Sequence, residues 1–402
     1  MAVNSDIGKL KKVIVHRPGQ ELEYLAPLYL EELLFDEIPW LERAQEEHDL
    51  FVKEMHKNGT QVIYLTDLMK EVLMMDDSIK RSFIDEQLKL SHIGNELTKE
   101  KLVEHLMEQN PEYVAKNLIR GFKRGFVKEL KEPDSLADII ESPFPFYLSP
   151  LPSMYFTRDQ GITMGDGILI SSMNNDSRRR ETLYTKYVVN HHPLFSNMEP
   201  LMEDKIPAGL EGGDLIVASK ELLIIGLSER TTEQAIETIS KELLVDNPRF
   251  KEILVIQIPA KRAYMHLDTV FNMIDYDKFV MYPGIKNSTY TYRLTAGADG
   301  QVKAQKAGEL KEALSTSLGR PINIIYSGGN DPITAAREQW SDSTNTLALA
   351  PGKVIAYNRN TVTNAKLRRE GIEVVEFEGS ELVRGRGGSR CMSMPIDREP
   401  LK

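Results

Sequence analysis

The chain has 402 residues, 41% hydrophobic and 27% charged, ordinary values for a soluble globular protein with ample core. Lys and Arg total 50 and Asp and Glu total 60, and the formal net charge of −10 argues against nucleic-acid binding through a broad basic surface. The single cysteine, Cys391, excludes an intramolecular disulfide, and with it any zinc ribbon or thiolate-held iron–sulfur cluster built from this chain alone.

No run reaches the ~18 apolar residues of a membrane span, and MAVNSDIGKLKK places Asp6 where the apolar part of a signal peptide would begin. A cytoplasmic protein without a membrane partner is expected. About 150 residues per domain gives a prior of ~2.7 domains. In chain order, KVIVH (12–16) reads as a buried strand closed by the turn Arg17-Pro18-Gly19. Leu41, Ala44, His48, Phe51 and Met55 recur in steps of three and four, marking an amphipathic helix over 39–57 with Pro39 in its first turn. Asn58-Gly59 stops it, and QVIYL (61–65) is a second strand.

Residues 67–140, rich in Lys, Glu, Leu and Met, read as several helices, with Pro111 and Pro133 at helix starts. Pro143, Pro145, Pro150 and Pro152 then end helical structure, because each ring removes an N–H donor and fixes φ. The expected organisation is a helical insertion at 67–140 within a catalytic α/β domain made of 1–66 and 141–402.

Beyond the prolines one unit recurs, two short strands joined by a tight turn and followed by a helix. The copies are 161–171 with a helix at 178–189, 214–226 with 230–244, 268–283 with a helix delayed to 308–318 by a polar hairpin, and 345–358 with 363–370 and the strand 373–377. KVIVHRPG makes a degenerate fifth. Repetition of one supersecondary unit, few and irregular in its copies, points to a closed pseudo-symmetric ring.

Polar residues that folding does not require lead into three of these hairpins: Phe156-Thr157-Arg158-Asp159, Glu211-Gly212-Gly213-Asp214 and His266-Leu267-Asp268. Rotation about a common axis would gather them into one pocket. His266 and Asp268, two apart, would share a face on a strand; by itself a His-x-Asp is more often structural, and Glu-Gly-Gly-Asp is at least as readily an acidic turn. Arg178 and Arg230 each open a helix, where a cation opposes the macrodipole, so a shared grip on an anion competes with plain surface solvation. Arg179 and Arg180 belong to the solvated surface. In RGRGGSRCM (384–392) a Gly-rich backbone lies beside Cys391 and nearby arginines favour its thiolate; an inert buried thiol is the competing reading.

Over nearly its whole length the chain resembles the arginine deiminases of the guanidine-modifying superfamily. The matching blocks are IGKLKKVIVHRPG (7–19), EELLFDEIPWLERAQEEHDLF (31–51), FTRD (156–159), RRETL (179–183), LEGGD (210–214), MHLDTVF (265–271), AAREQW (335–340) and RGRGGSRCMSMP (384–395). The resemblance implies a five-bladed α/β propeller of ββαβ units with a helical insertion. It also implies hydrolysis of L-arginine to L-citrulline and ammonia, the first step of arginine degradation, through a covalent amidino-cysteine intermediate. By family position Cys391 is the nucleophile, His266 the general acid and base and Glu211 its partner, while Asp159 and Asp268 hold the guanidinium. Arg178, Arg230 and Arg386 match positions at the substrate carboxylate, and Phe156, Asp214 and Gly385 match further substrate contacts. No metal or organic cofactor is implied, and a homodimer or larger homo-oligomer is. Ser153 stands where the family has Asn, and Gln160 where it has Pro. Sister activities with the same cysteine chemistry, amidinotransferase or dimethylarginine hydrolase, and a silent arginine-binding protein are the alternatives. Loops near 30–36 and 385–391 are expected to close over substrate.

Overall fold

The computed structural model describes residues 1–401 except 92, 94, 131–138, 140–143, 203–205, 207 and 208. The expected helix start at Pro133 and the first of the clustered prolines, Pro143, lie outside the described residues. The fold is mixed α/β, and its sheets repeat one pattern: an antiparallel hairpin, a helix, then a third strand parallel to the second. One sheet joins Gly161–Met164, Gly167–Ile170 and Glu199–Leu201. A second joins Leu215–Val217, Leu222–Leu227 and Glu252–Gln257. Phe271–Met273, Lys278–Met281 and Asn323–Tyr326 make the third, and Leu347–Ala350, Lys353–Tyr357 and Glu373–Phe377 the fourth. The fifth takes Met394–Arg398 from one end of the chain and pairs it antiparallel to Leu10–Val15, which runs parallel to Gln61–Tyr64 with Lys12 opposite Gln61.

These strands read as continuous apolar runs because both faces are covered. The polar hairpin Tyr290–Ala296 and Val302–Gly308 delays the third unit's helix to Leu310–Leu318, as expected, and also adds two strands to the second sheet through Glu252–Gln257. The parallel strands Glu199–Leu201, Glu252–Gln257 and Asn323–Tyr326 and the helix Pro332–Trp340 are additions to the sequence reading.

Element ends differ where capping decides. Trp40, extended, precedes the helix Leu41–Lys57, so Pro39 lies before the first turn. Leu65 opens the helix Leu65–Met75 instead of closing the strand. Asp77–Lys89, Glu96–Glu108, Pro111–Arg120 and Arg124–Leu130 follow. Asp76, Asn95 and Asn110 cap the first three of these by accepting from Ser78, Thr98 and Tyr113 N–H groups at 2.6, 3.2 and 2.8 Å. Their apolar faces share one core with the helix Arg179–His191, where Phe83 meets Tyr184 and Tyr187 edge-on at 5.0 Å. Arg180 corrects the sequence reading. It is 3% exposed and donates to the carbonyls of Leu118 and Ser149, the latter at 2.6 Å, tying the helical segment to the first sheet unit. Arg179 is exposed and pairs with Asp176. Among the described residues no helix is long and apolar enough to cross a membrane.

Candidate active site

Each hairpin is preceded by a short turn that carries polar side chains inward. Thr157–Gln160, Gly212–Asp214 and Leu267–Thr269 are single 3-10 turns directly before or within one residue of their strands. Asp342–Thr346 and Ser389–Ser393 hold the same place before Leu347–Ala350 and Met394–Arg398. Strand burial fixes where each turn begins, so five separate stretches deliver their side chains to one buried region.

Cys391 lies at its centre, 3% exposed. Its Sγ stands 3.7 and 3.9 Å from the Asp268 oxygens and 3.1 Å from Asn345 Nδ2. Burial pushes the thiol up, and the carboxylates of Asp268, Asp159 and Asp342 push it further, against the opposing pull of Arg390. The expected thiolate-favouring arginines are engaged elsewhere. Arg390 donates to Asp268 and Asp6, each at 2.8 Å, and to the Leu215 carbonyl at 2.7 Å, while Arg384 pairs with Glu37 and Glu381.

His266 is not on a strand but caps the turn Leu267–Thr269, so it and Asp268 point to different partners. Its Nε2 meets Glu211 Oε2 at 2.7 Å and its Nδ1 stands 3.8 Å from Asp159 Oδ1. Burial alone would favour the neutral ring, but Asp159, Glu211 and Asp214 outweigh it and raise the imidazole to about 9. For Glu211, burial pushes upward, yet the hydrogen bond and charge of His266, with Arg230 and Arg178, hold the carboxyl below its usual range. The pair is therefore an imidazolium and a carboxylate. Ligating atoms of Asp159, Glu211 and His266 lie within 4.8 Å of one another. Arg178 bonds Asp159 at 2.8 Å, and a protonated His266 offers no lone pair at Nε2, so this donor set suits protons and guanidinium groups better than a divalent cation.

Arg178 also donates to Glu181 through Nε and Nη2 at 3.0 and 2.8 Å and is buried. Arg230, buried, is 3.8 Å from Glu211 Oε2, and its Nη1 has no hydrogen-bond partner among the described residues. Arg386 takes a positive φ of 65°, unusual without glycine, and its guanidinium lies 3.4 Å over the Trp340 ring with Nε and Nη1 unpartnered. Asp214 accepts from Leu267 N–H and Ser228 Oγ at 2.8 and 2.7 Å, and burial pushes its carboxyl up to about 7. Phe156 packs on Tyr155 at 4.1 Å and faces the 385–387 loop; a Cβ on Gly385 would meet the Tyr155 hydroxyl at 1.9 Å, so only glycine fits there. Gln160 bonds Met154 O and Thr185 Oγ1 at 3.1 and 3.0 Å within the fold. Its departure from the family pattern is absorbed in packing. Ser153 is buried.

Asp342 and Asn345 were missed. Asp342 is 2% exposed, at φ 56°, with neither carboxylate oxygen partnered among the described residues; burial pushes it up to about 7. The signal was present: Asp342-Ser343-Thr344-Asn345 leads into the fourth hairpin as the three recognised clusters lead into theirs.

The region thus holds unpartnered carboxylate oxygens (Asp159 Oδ1 and both of Asp342) and unpartnered guanidinium nitrogens (Arg230 Nη1, Arg386 Nε and Nη1) beside a buried thiol and an imidazolium–carboxylate pair. Unpaired buried groups of both signs suit a ligand that itself carries a cation and a carboxylate.

Comparison with known proteins agrees. Residues 31–398 match the family model described as arginine deiminase. The chain is 44% identical over 404 residues to an arginine deiminase of Streptococcus uberis, covering 99% of this chain and 98% of that one. Two solved structures share the fold at low identity. SxtG, an amidinotransferase from Microseira wollei, has a TM-score of 0.57 at 12% identity, covering 100% of this chain and 98% of that chain. A Pseudomonas aeruginosa DDAH complexed with citrulline has a TM-score of 0.54 at 15% identity, covering 96% and 100%.

Proposed function

We propose, for a chain that belongs to the arginine deiminase family, a mechanism in which Cys391 forms and breaks a bond to the guanidinium carbon of arginine. The activity is that of an arginine deiminase, a hydrolase acting on the C–N bond of L-arginine. The observation that carries the mechanism is the thiol 3.7 Å from Asp268 beside the His266–Glu211 pair.

Asp159 and Asp268 accept hydrogen bonds from the guanidinium nitrogens, replacing part of what Arg178 and Arg390 now supply. Arrival of this cation offsets the carboxylates that hold the thiol protonated, and the Cys391 proton leaves to solvent. The thiolate attacks the central carbon and the S–C bond forms. His266 gives its proton to a departing nitrogen, the C–N bond breaks, and ammonia leaves behind a cationic thiouronium on Cys391. Neutral His266 then takes one proton from water as its oxygen adds to the carbon. The S–C bond breaks, the second proton returns to sulfur, and citrulline departs. Glu211 keeps the imidazolium available for the first transfer. Arg178, Arg230 and Arg386, with Phe156, Asp214 and Gly385, hold the amino-acid end.

The same reading extends to the architecture. The five repeated sheet units, the last closed by both ends of the chain, support a five-bladed propeller, with 67–140 as an insertion into a domain of 1–66 and 141–402. Ion pairs from Asp36 to Arg262 and Glu37 to Arg384 border a cavity of about 280 Å³ that Arg386 and Trp340 also line, which supports loops 30–36 and 385–391 as a closing pair. A cytoplasmic homo-oligomer follows from the resemblance. Citrulline and ammonia release from L-arginine, with Cys391→Ser as control, tests the mechanism: equal activity in the variant overturns it.

A further inference from the structure

We propose that Asn345 is a catalytic residue, whose side-chain amide donates to the Cys391 sulfur and stabilises its thiolate both as it attacks and as it is released. The proposal rests on Cys391 being the nucleophile.

The orientation of the amide is fixed by its neighbours. Asn345 Oδ1 lies 2.9 Å from the Cys391 N–H and 3.2 Å from the Gly388 N–H, and only an oxygen accepts from both. The amide nitrogen must then face the other way, where Nδ2 stands 3.1 Å from Sγ. The residue is 1% exposed, and its own N–H donates to the Asp342 carbonyl at 3.0 Å. Gly388 makes the approach possible, since a Cβ there would lie 2.5 Å from the Asn345 carbonyl oxygen. One side chain therefore clamps the loop 388–391 and presents an N–H to the reacting atom.

The sulfur has few other stabilisers. Asp268, Asp159 and Asp342 face it with negative charge, and the nearby cations Arg390 and Arg158 act on it only at a distance. Among the described residues, the Asn345 amide is the side-chain group that donates to Sγ within hydrogen-bond reach. Such a bond is stronger to a thiolate than to a thiol, because charge on the acceptor strengthens it. In the first step it raises the thiolate population. In the second, when the S–C bond breaks and the electron pair returns to sulfur, it lowers the energy of the leaving group.

The test compares Asn345→Asp and Asn345→Ala with the parent enzyme. The Asp variant keeps an oxygen for both backbone N–H groups but sets a second oxygen against the sulfur. We expect kcat to fall by about 100-fold with KM within about threefold. The midpoint of Cys391 alkylation by iodoacetamide should move to higher pH by about one unit in the Asp variant and by less in the Ala variant. An unchanged alkylation midpoint together with unchanged kcat in the Asp variant overturns the proposal. Should both variants misfold, ¹⁵N-asparagine labelling of the parent enzyme decides: the Asn345 side-chain amide signal must titrate with the Cys391 thiol, and a flat signal overturns the proposal. Cys391→Ser separates the two layers. Full citrulline formation in that variant removes the nucleophile assignment itself; an inactive Cys391→Ser beside an unaffected Asn345→Asp removes only the role of Asn345.

Discussion

His266 Nε2 and Glu211 Oε2 lie 2.7 Å apart with both side chains buried, so the imidazolium is bound to a carboxylate inside the protein. Removing the charge of Glu211 while keeping its shape should release the ring toward ordinary titration. For Glu211→Gln we expect the basic limb of kcat, set by loss of the His266 proton near pH 9, to move at least about one unit toward acid. The same raised value links to stability. The His266 contribution is full below about pH 6.5, the unfolded value, and is lost as pH rises through about 9. The parent enzyme should therefore lose more Tm between pH 6.5 and 9 than Glu211→Gln does. Equal losses, or an unmoved limb, would contradict this account.

Asp268 both raises the Cys391 thiol and, on the proposed mechanism, holds the substrate. Asp268→Asn should separate those effects, because it removes a negative charge next to sulfur and frees the Arg390 nitrogen that now bonds it at 2.8 Å. Alkylation of Cys391 at neutral pH should speed up by about tenfold per unit of lowered pKa, while citrulline formation falls by at least about 100-fold. A variant that is slower in both assays would show that the carboxylate is not what restrains the thiol.

Gly213 sits where His266 and Asp159 meet. A Cβ there would lie 2.8 Å from His266 Cγ and 2.9 Å from its Nδ1, distances real Cβ atoms do not sustain, and 3.0 Å from Asp159 Oδ1. Gly213→Ala should push the ring off Glu211 and lower kcat by about 10- to 100-fold, with a stability cost of about 1–3 kcal/mol. Steady-state kinetics with thermal melts check both. A kcat within twofold of the parent enzyme would mean the ring position tolerates displacement.

Arg180 donates through both terminal nitrogens to main-chain carbonyls, Nη1 to Leu118 and Nη2 to Leu118 and Ser149. Arg180→Ala leaves those acceptors without their donor and opens a void between the helical segment and the first sheet unit. A loss of about 3 kcal/mol is expected from denaturant melts, with KM unchanged.

The strands and the hairpin–helix repeat were legible because burial on both faces writes them as apolar runs, and the three polar clusters stood out against those runs. The parallel strand Glu199–Leu201 was not legible, since a three-residue stretch containing Pro200 carries no alternation to read. Asp342 and Asn345 are less legible because the polar stretch Ser341–Thr346 ahead of the fourth hairpin reads locally as an ordinary loop, and only the fold turns it toward Cys391. Arg180 is misread for a different reason: a run of three arginines looks solvated, and only tertiary packing brings the carbonyls of Leu118, on the helix Pro111–Arg120, and of Ser149 to one of them. The partners of Arg178 and Arg390 are likewise tertiary; nothing local says that Asp6 bonds a residue 384 positions away.

That last contact predicts an order of assembly. Cys391 is held next to Asp268 by a turn whose strand, Met394–Arg398, pairs with Leu10–Val15, and by Arg390 reaching back to Asp6. Closing so long a loop is entropically among the most demanding steps for the chain. On refolding from denaturant, helical signal should return before citrulline formation does. The one thiol of the chain is then expected to reach Asp268 only once the two ends of the chain have paired.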